Sequence, residues 1–88
     1  MPIGSLREEK AIHIQYFALL REQRGESEEM LRTTAQTPQE LYTQLKKDHR
    51  FTLSEQSVRV SINEQFADWQ TTLRSGDRLV FLPPVSGG

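Results

Sequence analysis

Two stretches of the chain alternate apolar and polar residues with a period of two, which is the pattern of a β-strand covered on one side. The first is AIHIQYFAL at 11–19, and the second is VRVSIN at 58–63. A third strand is predicted at the end of DWQTTLRSGDRLVFL, 68–82. The residues predicted for the covered side are Ile12, Ile14, Tyr16, Val58, Val60, Ile62, Leu79 and Phe81.

Turn-forming residues are expected to complete two hairpins. The stretch REQRGES at 21–27 is polar and contains a glycine, which predicts a loop, and EEMLRTTA at 28–35 is expected to return from it as a weaker strand. An Asn-Glu pair at 63–64 predicts a tight turn into a short strand through 65–66. A Ser-Gly-Asp turn at 75–77 leads into the last strand.

The start of one helix carries several signals at once. Thr37 is a typical N-cap residue, Pro38 suits the first helical position, and Glu40 completes a capping box with Thr37. These signals predict a helix over 38–49 that packs on the sheet through a narrow apolar stripe. The stripe consists of Leu41, Tyr42 and Leu45.

The predicted order of elements is strand, strand, helix, strand, short strand, strand. This order is typical of an α+β domain with the β-grasp, or ubiquitin-like, architecture: a mixed sheet of about four to five strands with one main helix on one face. We expect this domain to occupy 11–82, after a flexible N-terminal extension at 1–10 and before a protruding, extended C-terminal tail at 83–88.

Composition narrows the possible functions. With 88 residues the chain has room for one small domain. A net charge of −1 gives no basic surface for nucleic acid or an anionic membrane, and the longest apolar runs, 16–20 and 79–82, are far too short to span a membrane. The chain contains no cysteine, which excludes disulfides, thiolate metal sites and a nucleophilic thiol. We expect a cytoplasmic protein.

The chain closes with FLPPVSGG at 81–88. Pro83 and Pro84 have a fixed φ and favour an extended conformation that cannot continue a regular strand, so the tail is expected to leave the domain. Six residues can extend about 20 Å, far enough to enter a deep cleft of another protein. Because glycine lacks a Cβ atom, Gly87 and Gly88 would let the terminal carboxylate approach a nucleotide phosphate or the floor of a pocket.

A carboxylate at Gly88 would be inert as an acyl donor, because it is ionised and would expel a very poor leaving group. Adenylation by an ATP-using partner would provide a good leaving group. Attack of a sulfide or persulfide on the acyl adenylate would then leave a thiocarboxylate. Such a group would supply a sulfur nucleophile that the side chains of this cysteine-free chain lack.

The closing segment LRSGDRLVFLPPVSGG, 73–88, resembles the end of the MoaD group of ubiquitin-like sulfur carriers, the small subunits of molybdopterin synthase. The shared pattern is a leucine, a glycine-aspartate turn, an apolar strand, a double proline, an apolar residue, a serine or threonine, and a double glycine. The stretch YFALLRE at 16–22 is similar to the first strand and turn of that group. The resemblance covers about 11–88.

The resemblance implies a heterotetramer with two large subunits, which would hold the pterin and the catalytic lysines. The thiocarboxylate would donate sulfur to precursor Z to form the dithiolene of molybdopterin. An adenylyltransferase resembling ubiquitin-activating enzymes would use ATP to charge Gly88, and a separate protein would donate the sulfur. The chain itself would bind no cofactor and would not be an enzyme on its own. Gly87 would permit close approach, and the residues that guide the tail would be Pro83, Pro84, Val85 and Ser86.

The alternation also predicts a surface for a partner. Phe17, Val80 and Leu82 fall on the side of the sheet opposite the helix, and the first and last strands of a β-grasp lie side by side. Phe66 is expected to extend this apolar patch, and exposed patches of this kind often mark interfaces. The alternative is a set of scattered surface residues without a partner.

The remaining candidate residues receive structural interpretations. His13 and His49 have no ligand pattern around them, so no metal site is assigned. Trp69 is expected to pack against the core or its rim. The acidic residues of the second predicted strand and the loop before it are interpreted as a solvated edge. These residues are Glu26, Glu28 and Glu29.

Three other functions stay open. The chain could be a sulfur carrier in another pathway, of the thiamine type, or a ubiquitin-like modifier joined through Gly88 to lysines of target proteins. It could also be a plain adaptor domain. Deletion of Gly87 and Gly88 separates the adaptor from the carriers, because the carriers need the terminal carboxylate and the adaptor does not.

Overall fold

A computed structural model describes residues 8–84 of the chain. Within this range, five strands form one sheet, and two α-helices contribute side chains to its core. The strands are β1 (Lys10–Tyr16), β2 (Glu28–Thr33), β3 (Arg59–Ile62), β4 (Gln65–Ala67) and β5 (Arg78–Leu82). The α-helices are α1 (Ala18–Arg24) and α2 (Pro38–His49), and a short 3-10 helix spans Glu55–Ser57.

The strands are arranged in the order β2-β1-β5-β3-β4. The first and last strands, β1 and β5, are adjacent and parallel, whereas every other neighbouring pair is antiparallel. A parallel pair requires a crossover connection, and the segment containing α2 and the β3-β4 hairpin provides it. The mixed sheet with its main helix confirms the predicted β-grasp fold.

The region after β1 corrects two predictions. Strand β1 begins at Lys10, one residue earlier than expected, and ends at Tyr16 rather than at position 19. At Ala18 the backbone has a φ of 52°, and the chain turns into α1, where a strand end and a loop had been predicted. The alternation led to a wrong prediction after Tyr16, because the apolar residues that follow it can be buried by a helix as well as by a strand. In the folded chain Leu20 is fully buried, which fixes α1 against the core.

Helix α1 ends at a glycine. Gly25 has a φ of 87° and its N–H donates to the carbonyl of Arg21 at 2.8 Å. Because this left-handed conformation costs glycine little, Gly25 terminates the helix and directs the chain into β2. Gly25, a residue of the predicted loop, therefore caps a helix in the structure.

The start of α2 confirms the predicted capping signals. The Thr37 hydroxyl accepts a hydrogen bond from the N–H of Glu40 at 3.2 Å, and Pro38 occupies the first turn. The Glu40 carboxylate reaches back to the N–H of Gln36 at 3.1 Å, one residue before the donor that a standard capping box uses. The two bonds satisfy backbone donors that no helical carbonyl can reach.

The predicted tight turn between β3 and β4 is also confirmed. Asn63 and Glu64 have φ values of 53° and 72°, the two consecutive left-handed residues of a type I′ hairpin turn. The Asn63 side chain donates to Asp77 at 3.0 Å and accepts from the N–H of Arg78 at 3.0 Å. The hairpin is thereby tied to the start of β5.

The core lies between the sheet and α2. Its centre is aromatic: the ring of Tyr42 lies 5.2 Å from that of Phe81, 5.3 Å from Trp69 and 5.8 Å from Phe51. The predicted covered face is buried at seven of its eight positions, and Ile62 is half-buried. Trp69 packs against this cluster, as expected. In the described part of the chain no helix is long and apolar enough to cross a membrane.

Candidate functional site

The first two residues of the predicted tail follow the middle strand of the sheet. Pro83 and Pro84 follow β5 directly, and β5 lies between β1 and β3. Pro83 is half-buried and Pro84 is exposed. The four other residues predicted to enter a partner, Val85, Ser86, Gly87 and Gly88, lie outside the described residues.

The face of the sheet opposite α2 carries three of the four residues predicted to bind a partner. Val80 is paired with Ser61 of β3, which is paired in turn with Phe66 of β4, so Val80 and Phe66 point to the same side. Leu82 follows Val80 by two positions and shares that side. Phe66 is 69% exposed, whereas Val80 and Leu82 are half-buried.

The fourth residue, Phe17, lies beside this group. It follows β1 with an extended backbone, one step beyond the paired residues Tyr16 and Phe81, and this register places it next to Leu82. Its side chain is 40% exposed. We call Phe17, Phe66, Val80 and Leu82 the open-face patch. Its position beside the tail base is a structural fact, and its role in binding stays a prediction.

Two further exposed apolar residues were missed by the sequence interpretation. Met30, on β2, is 65% exposed and is paired with His13, so it lies on the same side of the sheet. The alternation of β2 could have indicated it. Leu19 is 38% exposed on α1, and no local signal could place it because α1 was not predicted.

Two grooves flank the double proline. The first, on the α1 side of β5, has a volume of about 380 Å³. The second, on the β3 side, has a volume of about 430 Å³. Besides Pro83 and Pro84, which line both, the α1-side groove is lined by Ala18, Leu19, Glu22 and Leu53, and the β3-side groove by Gln56, Ser57, Arg59, Phe66 and Leu82.

A hydrogen-bonded cluster holds α1 in place beside the first groove. Arg24 donates two hydrogen bonds to the Glu29 carboxylate, at 2.9 and 2.8 Å, and the Tyr16 hydroxyl donates to the same carboxylate at 2.6 Å. The Arg24 hydrogen bonds lower the pKa of Glu29. Burial, followed by the hydrogen bond to Glu29, raises the pKa of Tyr16. The interpretation of Glu29 as solvated was wrong. Its charge partner, Arg24, lies on α1, a helix that was not predicted.

Two other titratable side chains near the sheet, His13 and Tyr42, have partners within the domain. His13 contacts Glu28 at 2.7 Å on the open face of the sheet. Burial raises the pKa of Tyr42 to about 12, and its hydroxyl donates to the carbonyl of Leu53 at 2.7 Å. Between residues 8 and 84, no group of three or more histidine, aspartate or glutamate residues is placed to hold a metal ion. This part of the chain presents exposed apolar residues and two grooves beside the double proline.

Comparison with known proteins identifies one family. The model of the ThiS family matches residues 14–88, which include the tail. A search of curated protein sequences finds no match. The family match spans most of the domain and includes its closing segment.

Solved structures share the fold over nearly their full length. A Pyrococcus furiosus protein named as molybdopterin converting factor subunit 1 is 26% identical with a TM-score of 0.73, and the match covers 86% of this chain and 99% of that one. Small archaeal modifier protein 1 from Methanosarcina acetivorans is 23% identical with a TM-score of 0.72 and coverages of 92% and 99%. A chain from the Helicobacter pylori complex of molybdopterin-converting factor subunits 1 and 2 is 23% identical with a TM-score of 0.61 and coverages of 89% and 99%.

Proposed function

Because the chain belongs to the ThiS family of ubiquitin-like sulfur carriers, we propose that it is the sulfur-carrying small subunit of molybdopterin synthase. The observation that carries the proposal is the closing segment. A central strand of the sheet leads directly into Pro83 and Pro84, and the family match continues from there to Gly88. The likeness to the Pyrococcus furiosus subunit favours the molybdopterin pathway.

Charging begins at the terminal carboxylate. A carboxylate oxygen of Gly88 attacks the α-phosphate of ATP on an adenylating partner that resembles ubiquitin-activating enzymes, forming an acyl adenylate and releasing pyrophosphate. Sulfide then attacks the carbonyl carbon, the carbon–oxygen bond to AMP breaks, AMP leaves with its electron pair, and a thiocarboxylate remains. With a protein persulfide as donor, an acyl disulfide forms first, and a second thiol of the donor reduces it.

Sulfur transfer takes place on a second partner. The tail enters the active site of the large subunit in a heterotetramer, and the thiocarboxylate sulfur attacks a carbon of precursor Z, displacing an oxygen substituent and forming a thioester between carrier and substrate. Water then cleaves the acyl–sulfur bond, which leaves the sulfur on the substrate and restores the carboxylate of the carrier. Two charged carriers supply the two sulfurs of the dithiolene. Since ATP drives charging, we place this cycle in the cytoplasm. The chain contributes the acyl group and the docking surface, and the partners contribute the catalytic residues.

Intact-mass spectrometry tests the charging step. The purified chain is incubated with ATP, a sulfide source and the adenylating enzyme of the same organism. The expected mass increase equals the replacement of one oxygen atom by sulfur. An unchanged mass, with an enzyme that charges its own established carrier, would contradict the proposal.

Two variants provide the controls. Deletion of Gly87 and Gly88 should abolish the mass change without altering the melting temperature, because both residues follow the last strand of the domain. Replacement of the exposed Lys47 by glutamate, on α2, should leave charging intact. A plain adaptor domain would keep its partner binding after the deletion.

The family name favours a second candidate, a carrier of the thiamine type, which would be charged by the same chemistry. The charged chain is therefore mixed with precursor Z and the large subunit of molybdopterin synthase. Formation of molybdopterin supports the proposal, and charging without product assigns the chain to another sulfur pathway. Isopeptide-linked conjugates in cell extracts would instead favour a protein modifier.

A further inference from the structure

The charged side chains of the open sheet face differ in whether they have an ion-pair partner. Away from the tail they have partners within the chain: His13 contacts Glu28 at 2.7 Å, Arg32 contacts Glu9 at 2.8 Å, and Arg78 lies 3.9 Å from Glu64. Arg59, beside the tail base, has no ion pair with any residue between 8 and 84.

Arg59 is held in position without losing its hydrogen-bonding capacity. It is paired with Leu82 across β3 and β5, and its guanidinium carbon lies 5.5 Å from the centre of the Phe66 ring. A cation–π contact orients the guanidinium while its N–H donors stay available. Arg59 therefore presents a positive charge on the β3-side groove next to Pro83.

A negative charge occupies the corresponding position on the other side of β5. Glu22 is exposed on α1 and lines the α1-side groove with Leu19 and the double proline. Within the described residues Glu22 has no ion pair either. The neighbouring Arg21 does not line this groove. The tail base therefore runs between two apolar grooves that carry opposite, uncompensated charges.

We propose that Arg59 and Glu22 are recognition residues that fix the orientation of the carrier on its adenylating partner. A carboxylate of the partner forms an ion pair with Arg59, and a lysine or arginine side chain of the partner forms one with Glu22. Opposite charges on the two sides of the tail favour a single orientation, because rotation by half a turn would bring like charges together. This inference rests on the proposed function, and it identifies the charges that the docking surface of the partner carries.

The test is ATP–pyrophosphate exchange by the adenylating enzyme of the same organism, with the carrier as the varied substrate. Arg59→Glu and Glu22→Lys should each raise KM for the carrier about tenfold, a loss of about 1.4 kcal/mol in binding, with kcat within about twofold of wild type. Arg59→Lys, which keeps the charge, should raise KM less than Arg59→Glu. The effect of Arg59→Glu should shrink as salt increases.

The two substitutions together distinguish local recognition from net charge. Arg59→Glu makes the chain more acidic and Glu22→Lys makes it more basic, so steering by net charge alone would weaken one and strengthen the other. Opposite effects of that kind would overturn the inference. Lys47→Glu, with the same charge change on α2, should leave KM within about twofold of wild type.

Failure of the inference and failure of the proposed function give different results. If wild-type chain supports exchange and Arg59→Glu has an unchanged KM, the inference is wrong and the proposed function stands. If wild-type chain supports no exchange with an enzyme that is active on its own carrier, both fail. Melting temperatures of the variants within a few degrees of wild type show that a raised KM reflects docking rather than unfolding.

Discussion

The two sides of the central strand β5 use the same kinds of residues for different purposes. Leu79 and Phe81 point toward α2 and are fully buried, whereas Val80 and Leu82, which alternate with them, are half-buried on the open face. All four are apolar. The alternation of a strand thus lets one short segment contribute both to the core and to a surface that can bind a partner.

The comparison shows how a small domain separates stability from binding. Aromatic packing around Tyr42 concentrates the core on one side of the sheet, and the apolar residues on the other side are half-buried or exposed beside the double proline. Substitutions on the covered side should change the free energy of unfolding. Substitutions on the open side should mainly change the affinity for partners.

The largest effect is expected for two adjacent residues of β5. Phe81→Ala should lower the free energy of unfolding by about 3–5 kcal/mol, because it leaves a cavity among Tyr16, Tyr42 and Trp69. Leu82→Ala should cost about 1 kcal/mol or less. Urea denaturation measures both values.

Equal losses of unfolding free energy in the two alanine variants would contradict the distinction between the covered and open faces of the sheet. If Phe81→Ala does not fold, Phe81→Leu provides the comparison, since it keeps most of the buried apolar volume. Its loss should fall between those of Phe81→Ala and Leu82→Ala.

A second comparison uses two neighbouring residues of β2, one on the covered side of the sheet and one on the open side. Glu29→Gln should lower the free energy of unfolding by about 1–3 kcal/mol, because the carboxylate accepts hydrogen bonds from Arg24 and Tyr16. Glu28→Gln should change it by less than about 1 kcal/mol, since its contact with His13 is exposed. Chemical denaturation near neutral pH distinguishes them.

The pH dependence of stability gives an independent test of Glu29. Its folded-state pKa lies below the ordinary value of 4.5, chiefly because Arg24 donates to it. The stabilisation is therefore complete above the unfolded-state pKa and is lost as the pH falls through the folded-state pKa. Glu29→Gln should be less sensitive to acid than wild type below pH 4.5. Equal acid sensitivity of the two proteins would show that other carboxylates dominate.

A smaller effect is expected at the helix that covers the core. Thr37→Ala removes the oxygen that accepts the Glu40 N–H and should lower the free energy of unfolding by about 1 kcal/mol. Thr43→Ala, at an exposed position inside α2, should be neutral or slightly stabilising because alanine is the better helix former. Thermal denaturation followed by circular dichroism measures both. Similar losses at the two positions would argue against a specific cap.

The smallest effect is expected in the β3-β4 turn, on the open side. Glu64 has a φ of 72°, so Glu64→Gly should raise the free energy of unfolding by about 0.5–1 kcal/mol by relieving left-handed strain. The matched change Gln65→Gly, in β4, should be destabilising because glycine weakens a strand. A destabilised Glu64→Gly variant would contradict the turn geometry.

Much of this fold followed from local patterns. Alternation identified the covered faces of β1, β3 and β5, the capping residues placed α2, and the Asn-Glu pair predicted the tight turn. Each of these signals depends on residues within a few positions of one another. The β-grasp order followed from joining them, and the double proline marked where the sheet ends.

Other features depended on tertiary contacts. Helix α1 forms because Leu20 is buried against elements distant in the sequence, while the local pattern suited a strand equally well. The same helix brings Arg24 to Glu29 and places Glu22 beside the double proline.

The sequence alone therefore determined the β-grasp order, the covered strand faces and the end of the last strand at the double proline. It also carried the closing pattern from which a carrier of sulfur was inferred. Tertiary structure decided the position of α1, the burial of Glu29 and the two grooves with their opposite charges. The physical reason is that alternation, capping and turn formation act between near neighbours, whereas burial and charge pairing depend on how the helices and the sheet pack against one another.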